Sequence, residues 1–558
     1  MSIESKLIKT TCPLCQYGCE LSINEINRGG FIIRKIEYDH NTLVNQGRLC
    51  ARGNLATRIL EDNKRLTYPL LNNNPISWND AITQISTSLN KFSADEIAIT
   101  YDINNTLEEL SLIFNFTQQL KTETVLRSYL EPEAFFNYTI DKVKYAELKD
   151  ISSAKVFLII GDIFSKSPVI AKPILDAKYA DRNHRLYYID SVKSKLAGFA
   201  NKFIQVKPGT EPILLLALIG MMGKTAKEVL GDKNVSTIKK ILPQLIAICG
   251  VNINDIEEIA HTFTTLSPGI VLASLDWAKT DDPFLFATLA QLLSIVSPGN
   301  KKFCGLSLTS LPLSKTSMGE VIEKIDQGKI KALINFGEIF PFYYPNIFDS
   351  LNKLKLFVTT TTYKYPLAIP NYTLPVPSLL EKSGTIYSLW DKSTLKPLAQ
   401  PISGSKSIAE IIDLLKPNIP QSRPRLTIKT SVNLENLINK SISYAEHQMV
   451  SSKISEDELI VLGEESAFGY RGILDNDTKI KINPLTAQRL QIKLGNKVKL
   501  TVDNKSKEFI ADITDDVPLN TVSIPVNTAD NRALFPIKID NFTKEIIIPL
   551  TKGKLTNL

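Results

Sequence analysis

The stretch AKVFLIIGD, residues 154–162, decides the fold class of this 558-residue chain. Five consecutive apolar residues, VFLII (156–160), are followed by Gly161 and Asp162. Such a run is typical of a strand whose two faces are both buried in a parallel sheet. A helical pattern, PVIAKPILDAKYADR (168–182), and a second strand pattern, RLYYID (185–190), follow directly. The three segments predict a βαβ unit of a doubly wound sheet. Ligands of open α/β sheets bind beyond the carboxyl ends of the strands, so Gly161 and Asp162 are predicted to lie where a nucleotide-like group would bind.

The same alternation of strands and helices occurs on both sides of this unit. Before it, EIAITYD (96–102) predicts a strand and NTLEELSLIFNFTQQL (105–120) a helix. After it, KALINFGEI (331–339) and LKLFVTTTT (354–362) predict further strands. These segments indicate a second α/β lobe of similar design.

The last hundred residues show a different sequence pattern. After residue 455 the chain consists of short strand patterns separated by turns, such as KVKLTVD (497–503) and TVSIPV (521–526). Such a series predicts a β-barrel or sandwich. The expected domains are a cysteine module (1–65), the first part of the α/β body (66–150), an α/β lobe with the βαβ unit (151–330), the continuation of the second α/β lobe (331–425) and a C-terminal β-barrel like that of dinucleotide-binding domains (455–558).

Composition excludes several classes of protein. The net charge is +7, from 65 basic and 58 acidic residues that are spread along the chain, which does not favour nucleic-acid binding. The longest apolar stretches, 212–223 and 283–296, are shorter than the roughly 20 residues of a membrane span and are expected to be buried helices. No signal peptide is visible at the N-terminus. We therefore expect a cytoplasmic protein, in which clustered cysteines bind metal more often than they form disulfides.

Four of the six cysteines lie in the first 50 residues, with the spacing C-x2-C-x3-C-x30-C. Three thiolates on one tight loop and a fourth from further along the chain suit a [4Fe-4S] cluster. A tetrahedral zinc ion also accepts four cysteines, so the spacing alone leaves both metals open. The predicted metal ligands are Cys12, Cys15, Cys19 and Cys50. The two remaining cysteines, Cys249 and Cys304, are interpreted as buried small hydrophobic residues.

Longer motifs favour the [4Fe-4S] cluster over zinc, because they resemble those of a known family. CPLCQYGC (12–19), GRLCARG (47–53) and RLTYPL (65–70) resemble the N-terminal iron-sulfur domain of the molybdopterin oxidoreductases, a superfamily that includes formate dehydrogenases and the large peripheral-arm subunit of NADH-quinone oxidoreductase. Later segments follow in family order, including FIQVKPGTEPILLLAL (203–218) and LPVPSLLEKSGT (374–385). The resemblance covers nearly the whole chain. It implies the multidomain molybdopterin-oxidoreductase fold and one [4Fe-4S] cluster on the four cysteines.

The metal ligand of an active member is not evident. The resemblance implies that a Mo or W ion would be held by two pterin dithiolenes and one protein residue, usually Cys, selenocysteine, Ser or Asp. No cysteine lies between Cys50 and Cys249, and Ser128 is the candidate of a usable type on the expected loop. Tyr129 and Leu130 follow Ser128, where formate dehydrogenases have a His that helps to move the proton.

Other cofactor contacts of the family are altered too. The Gly-x-Asn-Pro motif reads Gly161-Asp162-Ile163-Phe164, and Asp-Pro-Arg after the second strand reads Asp190-Ser191-Val192. Arg52 stands where many active members have Lys between cluster and pterin. We therefore interpret Arg52, Gly161, Asp162 and Asp190 as a vestigial pterin-nucleotide site. On this interpretation, the sequence argues against a bound molybdopterin guanine dinucleotide with Mo or W.

The resulting hypothesis is an iron-sulfur electron-transfer subunit like the large peripheral-arm subunit of NADH-quinone oxidoreductase, with a degenerate Mo site. It would work with other subunits of a redox complex, peripheral to the cytoplasmic face of the inner membrane through those partners. Two alternatives remain: an active Mo or W bis-pterin oxidoreductase of formate dehydrogenase type, and a non-redox scaffold with a four-cysteine zinc site. Whether the chain itself catalyses a reaction stays open at this point.

Overall fold

The structure is a computed structural model that describes residues 3–128, 135–305, 316–338, 345–364, 371–416, 430–451, 458–466 and 478–558. The described residues form a small antiparallel sheet, two α/β sheets, one of which is inserted in the sequence of the other, and a closed β-barrel. This is the mixed α/β multidomain architecture that the sequence predicts. The domain limits drawn from sequence remain a proposal.

The N-terminal module is built on three antiparallel strands. Ile8, Ile23 and Ile36 are paired across the sheet, and the first two are buried. This face packs on the α/β body, because both belong to the same apolar core as Phe157 and Ile159. The elements of this part are β1 (Ile3–Thr11), β2 (Glu20–Arg28), β3 (Phe31–Glu37) and α1 (Ala51–Asn54).

The next segment begins one of the two α/β sheets. Helix α3 starts at a capping box, in which the Thr106 hydroxyl accepts from the Glu109 N–H and the Glu109 carboxylate accepts from the Thr106 N–H. The elements are β4 (Leu70–Leu71), β5 (Asn74–Pro75), α2 (Trp78–Leu89), β6 (Ile97–Tyr101), α3 (Leu107–Leu120), β7 (Thr124–Arg127), β8 (Tyr138–Thr139) and α4 (Leu148–Ser153).

An α/β lobe with an all-parallel sheet follows. Most of the apolar stretch 212–223 lies in a buried helix, Glu211–Met221, and the stretch 283–296 forms another, Pro283–Val296, as expected. The elements are β9 (Val156–Ile160), α5 (Ile163–Lys166), α6 (Ala171–Tyr179), β10 (Arg185–Asp190), β11 (Lys202–Gln205), α7 (Glu211–Met221), α8 (Gly223–Leu230), α9 (Asp232–Lys240), α10 (Leu242–Cys249), α11 (Ile253–Thr265), β12 (Gly269–Ala273), α12 (Pro283–Val296) and β13 (Lys301–Gly305).

The chain then returns to the first sheet and completes it. β14 pairs with β6 in parallel, so residues from before and after the inserted lobe share one sheet. The elements are α13 (Met318–Asp326), β14 (Ala332–Asn335), α14 (Phe348–Leu351), β15 (Leu356–Thr361), β16 (Tyr372–Pro375), β17 (Gly384–Tyr387), β18 (Lys392–Leu395) and α15 (Ile408–Leu415).

The C-terminal region closes into a barrel of strand order β20-β24-β21-β23-β22-β27. The segment KEIIIPL (544–550) lies outside the barrel, because its residues Ile546 and Ile547 pair with β25. The elements are β19 (Thr430–Ser431), α16 (Leu434–Ser451), β20 (Leu459–Glu464), β21 (Lys479–Ile482), α17 (Pro484–Arg489), β22 (Lys497–Val502), β23 (Lys505–Ile513), β24 (Thr521–Pro525), α18 (Ala529–Arg532), β25 (Lys538–Ile539), β26 (Ile546–Ile547) and β27 (Thr551–Asn557).

Both α/β sheets reverse their strand order at a switch point. The five-stranded sheet has the order β11-β10-β9-β12-β13, and it reverses between β9 and β12. The seven-stranded sheet has the order β5-β4-β16-β15-β14-β6-β7, and it reverses between β6 and β14. A crevice forms at the carboxyl ends of the strands on each side of such a point. We call these the β9/β12 crevice and the β6/β14 crevice.

No helix in the described ranges has both the length and the apolar character that a membrane crossing requires.

Candidate functional site

The first three cysteines lie on the loop between β1 and β2. Cys12 directly follows β1 and Cys19 directly precedes β2, and the Cys12 N–H donates to the Cys19 carbonyl at 2.7 Å. Gly18 has φ +78°, and a Cβ there would lie 2.5 Å from the Cβ of Ser388. The loop therefore needs glycine both for its backbone conformation and for its contact with the body.

The fourth cysteine reaches the same region from helix α1, which begins directly after Cys50. Cys12 and Cys19 are buried, whereas Cys15 and Cys50 are partly buried, and all four belong to one apolar core or pack against it. Burial raises the pKa of Cys12 to about 12, and the nearby thiol of Cys15 contributes to this rise. Four mutually interacting thiols in an apolar setting need a cationic centre to become thiolates, so this site fits an iron-sulfur cluster.

A compact site for a single metal ion is not found in the described ranges. No group of three or more His, Cys, Asp or Glu side chains there converges closely enough to hold one ion.

Arg52 joins the cysteine module to the α/β body. It is 6% exposed, and its guanidinium donates to the main-chain carbonyls of Ser165, at 3.1 Å, and Lys166. Burial raises the pKa of Cys15, and the charge of Arg52 opposes this shift. Arg52 is therefore a buried cation between the predicted cluster ligands and helix α5, and not a surface ion pair.

Gly161 and Asp162 lie in the β9/β12 crevice, as the sequence predicts for residues that follow β9. Gly161 has φ +84°, and a Cβ there would lie 1.9 Å from the carbonyl oxygen of Ser274. The Asp162 carboxylate caps helix α5 by accepting from the N–H groups of Phe164 and Ser165. Burial raises the pKa of Asp162, and nearby Asp276 adds to the shift.

Asp190 lies at the carboxyl end of β10, in the same crevice. It is 1% exposed and accepts from the hydroxyl of Tyr188 and the ammonium of Lys279, each at 2.7 Å. Lys279 also pairs with Asp276 at 3.0 Å, and Asp276 pairs with Lys166 at 3.3 Å. Burial alone would raise the pKa of Asp276, but Lys279 and Lys166 hold it below its usual value. The result is a buried chain of alternating charges.

The crevice opens into a cavity of about 450 Å³ between the five-stranded sheet and the barrel. This volume lies within the range of small-molecule and cofactor sites. The hydroxyl of Ser523, which lines this cavity, and that of Ser274, which directly follows β12, are buried and have no hydrogen-bond partner among the described residues. Buried polar atoms of this kind are usually satisfied, so the cavity fits a polar ligand that would pair with them. Its charged lining residues are Asp162, Asp190, Lys193, Lys195, Asp276, Lys279, Glu464, Glu465, Lys479, Lys481, Asp512 and Asp516.

The β6/β14 crevice combines amides and hydroxyls with the buried carboxylate of Asp102. Asn335, at the end of β14, is fully buried and binds the hydroxyls of Thr100, at 2.5 Å, and Thr359, at 2.8 Å. Gly337 lies so close to Asp102 that a Cβ would be 2.5 Å from its carboxylate. The side-chain amide nitrogen of Asn104 is buried without a hydrogen-bond partner among the described residues. This crevice also retains a polar group that a ligand would satisfy.

Ser128 lies in the β6/β14 crevice, directly after β7. It is fully buried, and both its N–H, at 2.7 Å, and its hydroxyl, at 3.4 Å, donate to the Tyr101 carbonyl. The long hydroxyl contact is a weak hydrogen bond that a stronger interaction would replace. Tyr129 and Leu130, which follow it, lie outside the described residues.

Sequence reasoning missed the charged partners in the β9/β12 crevice. Asp276 and Lys279 follow β12, whose pattern GIVLA (269–273) is a short apolar run like that of β9. Recognising this run as a strand would have placed the next polar residues, SLDWAKT (274–280), at the same sheet edge as Asp162. Glu211 was also missed, and neither of its carboxylate oxygens has a hydrogen-bond partner among the described residues.

Comparison with known proteins agrees with this arrangement. Residues 5–62 match the family model of the molybdopterin oxidoreductase Fe4S4 domain. The F420-dependent formate dehydrogenase subunit alpha of Methanocaldococcus jannaschii is 26% identical over 413 residues, which cover 68% of this chain and 56% of that protein. The assimilatory nitrate reductase catalytic subunit of Bacillus subtilis is 22% identical over 72% of this chain and 66% of its own length. The solved structure of acetylene hydratase from Pelobacter acetylenicus covers 99% of this chain at a TM-score of 0.76 and 15% identity, and so has the same fold.

These comparisons correct part of the sequence interpretation. The relatives are named formate dehydrogenases and a nitrate reductase, so the similarity favours the formate dehydrogenase alternative over the large peripheral-arm subunit of NADH-quinone oxidoreductase. They do not bear out the expectation that a pterin cofactor is absent, since the matched family model is that of molybdopterin oxidoreductases. The aligned region spans about half of the formate dehydrogenase relative. An N-terminal molybdopterin oxidoreductase Fe4S4 domain at residues 5–62 is thus followed by sequence similar to formate dehydrogenase and nitrate reductase subunits, in a chain that has the fold of acetylene hydratase.

Proposed function

We propose that this chain is a redox subunit of formate dehydrogenase type, with one [4Fe-4S] cluster and a Mo or W centre held between two pterin dinucleotides. The observation that carries the proposal is the presence of two switch-point crevices, one in each α/β sheet. A bis-pterin centre requires two dinucleotide sites, and crevices of this kind are where such ligands bind in open α/β sheets.

The four cysteines would hold the cluster as thiolates. Cys12, Cys15 and Cys19 come from the β1–β2 loop and Cys50 from the start of α1, so two separate segments would enclose it. Arg52 would lie between the cluster and the β9/β12 crevice, because it donates to carbonyls of helix α5. When bound, the pterin-metal group would supply the two-electron chemistry, and the cluster would carry single electrons away.

The chain's own residues would bind and orient the dinucleotides. Ser274 and Ser523 supply free hydroxyls at the β9/β12 crevice, and Asn104 supplies a free amide near the β6/β14 crevice. Ser128 would be the protein ligand of the metal, as the resemblance implies. Formate is the substrate class we favour, because several of the similar proteins are named formate dehydrogenase alpha subunits. Their designation as alpha subunits supports the proposal that this chain works with other subunits.

A second candidate is an electron relay without its own metal chemistry, like the large peripheral-arm subunit of NADH-quinone oxidoreductase. Two observations favour it. The N–H groups at the start of α5, which would otherwise face an anion, already bind the Asp162 carboxylate. The hydroxyl of Ser128 contacts a main-chain carbonyl. Both features would have to rearrange when a pterin-metal centre binds.

Metal and pterin analysis of protein purified without oxygen separates the two candidates. We expect about four Fe per chain together with Mo or W and a pterin, and formate-dependent reduction of a viologen dye. About four Fe without Mo, W or pterin would support the relay instead. Zinc alone would contradict both.

The cluster ligands are tested by a matched pair of variants. Cys19→Ser is expected to lose the cluster absorption and most of the iron, because a serine oxygen is a poor ligand for this cluster. Cys249→Ser is the control, since Cys249 is equally buried but lies in helix α10 with its thiol directed to the Thr210 carbonyl. Equal iron contents in the two variants would argue against the assigned ligands.

A further inference from the structure

A series of contacts connects Arg52 of the cysteine module to the buried ion pairs of the β9/β12 crevice. Arg52 donates to the carbonyls of Ser165 and Lys166. The Lys166 ammonium donates to the Leu275 carbonyl and pairs with Asp276 at 3.3 Å. Asp276 pairs with Lys279, and Lys279 with Asp190.

Burial makes these charges effective at a distance. The exposed fractions of the side chains are 13% for Lys166, 5% for Asp276, 3% for Lys279 and 1% for Asp190. Charges excluded from water are screened far less than surface charges, so each one is felt by its buried neighbours. These four residues carry two positive and two negative charges, and neutralising any one of them leaves a net buried charge.

The cysteine end of the chain lies next to the predicted cluster. Arg52 interacts electrostatically with Cys15 and Cys50. The main-chain carbonyl that Arg52 binds belongs to Lys166 itself. Adding an electron to a cluster adds one negative charge at that point. The charge of Lys166 and Asp276 must therefore affect how readily the cluster is reduced.

We propose that the charges of Lys166 and Asp276, in the β9/β12 crevice, set the reduction potential of the cluster. Lys166 stabilises the reduced cluster, and Asp276 opposes it. This inference rests on the proposed [4Fe-4S] cluster but not on a bound pterin or on formate as the substrate. Through Lys279 and Asp190, the same chain would transmit the charge of a ligand in the cavity to the cluster.

The test is a redox titration of the purified full chain, followed by the EPR signal of the reduced cluster. Lys166→Met removes a positive charge and is expected to lower the midpoint potential. Asp276→Asn removes a negative charge and is expected to raise it. The ratio of reduced to oxidised cluster at a fixed solution potential should change roughly tenfold in each case, because buried charges are only weakly screened.

The conservative variant Lys166→Arg keeps the charge and is expected to keep the wild-type potential. Lys302→Met is the matched control, because it also removes a lysine that is paired with an aspartate. Lys302 pairs with Asp150 at 2.8 Å near the amino-terminal end of β13, whereas the β9/β12 crevice lies at the carboxyl ends of the strands. Its potential should equal that of the wild type. A merely structural role would not produce shifts of opposite sign.

The outcomes separate this inference from the proposed function. Iron-free protein without an EPR signal would overturn the cluster and with it the inference. An intact cluster whose potential is the same in Lys166→Met and Lys166→Arg, or shifts in the same direction in Lys166→Met and Asp276→Asn, would overturn the inference alone. If Asp276→Asn fails to fold, the difference in midpoint potential between Lys166→Met and Lys166→Arg still tests the inference.

Discussion

The two crevices have the same topology, but ion pairs are central to one and neutral hydrogen bonds to the other. In the β9/β12 crevice, the strand ends are occupied by buried ion pairs centred on Lys279. In the β6/β14 crevice, neutral hydrogen bonds centred on Asn335 lie beside the buried carboxylate of Asp102. Both arrangements satisfy polar groups inside the protein, but the charged one depends on every partner remaining in place.

The two crevices differ in how strongly their polar networks respond to pH and to a nearby charge. A neutral network responds little to pH or to a nearby electron, because none of its members carries a charge that titrates near neutrality. A buried ionic chain responds to both, because its balance changes when one charge is added. The crevice closer to the cysteine module through Arg52 is the charged one.

The largest effect is expected from breaking the charged crevice. Lys279→Met leaves Asp190 and Asp276 buried without their shared cation, and we expect it to reduce the free energy of unfolding by about 3–5 kcal/mol. Urea denaturation followed by tryptophan fluorescence measures this. Lys149→Met is the control, because Lys149 pairs with Glu147 on the surface and should be nearly neutral. Equal midpoints for the two variants would contradict the structural importance of the ionic chain.

Breaking the neutral crevice should cost less. Asn335→Ala removes hydrogen bonds to Thr100 and Thr359 and leaves both hydroxyls buried, so we expect a loss of about 2–3 kcal/mol. The loss should be the same at pH 5 and pH 8, because no titrating group takes part. A loss that changes strongly between these two pH values would mean that the crevices do not differ in the way described.

Glu211, beside the charged crevice, should give the clearest pH dependence. Burial raises the pKa of this carboxyl to about 8. The folded state therefore holds its proton more tightly than the unfolded state, and stability from this group is lost as pH rises from about 4.5 to 8. Glu211→Gln should lack that part of the decline and be more stable than the wild type by about 2 kcal/mol at pH 8. Parallel stability curves for the two proteins between pH 5 and 8 would refute this.

The smallest effect is expected at Asp162. Its carboxylate caps α5, and asparagine can accept the same N–H donors, so Asp162→Asn keeps the cap. Burial raises the pKa of Asp162 and Asp276 adds to this, so removing the charge should stabilise the protein by less than about 1 kcal/mol at pH 7. The gain should disappear below the usual carboxyl pKa near 3.8. Thermal unfolding at pH 7 and in acid measures it, and a destabilised variant at pH 7 would count against the like-charge repulsion.

The sequence by itself determined the elements and the ligand types. Apolar runs such as VFLII, helix caps such as Thr106 and the spacing of the four cysteines are local features, and local features predict strands, helices and a cluster loop directly. The family motifs also indicated the superfamily, because they occur in order along the chain.

Only the tertiary structure decided which charges meet. Asp190 and Lys279 are 89 residues apart, and Arg52 and Lys166 are 114 residues apart, so no periodicity in the sequence connects them. Asp190 and Lys279 meet because parallel strands bring their carboxyl ends to one edge of the sheet, whatever their distance along the chain. Arg52 lies on helix α1 and reaches the Lys166 carbonyl because the cysteine module packs on the α/β body, so it is a buried cation that links the module to a crevice.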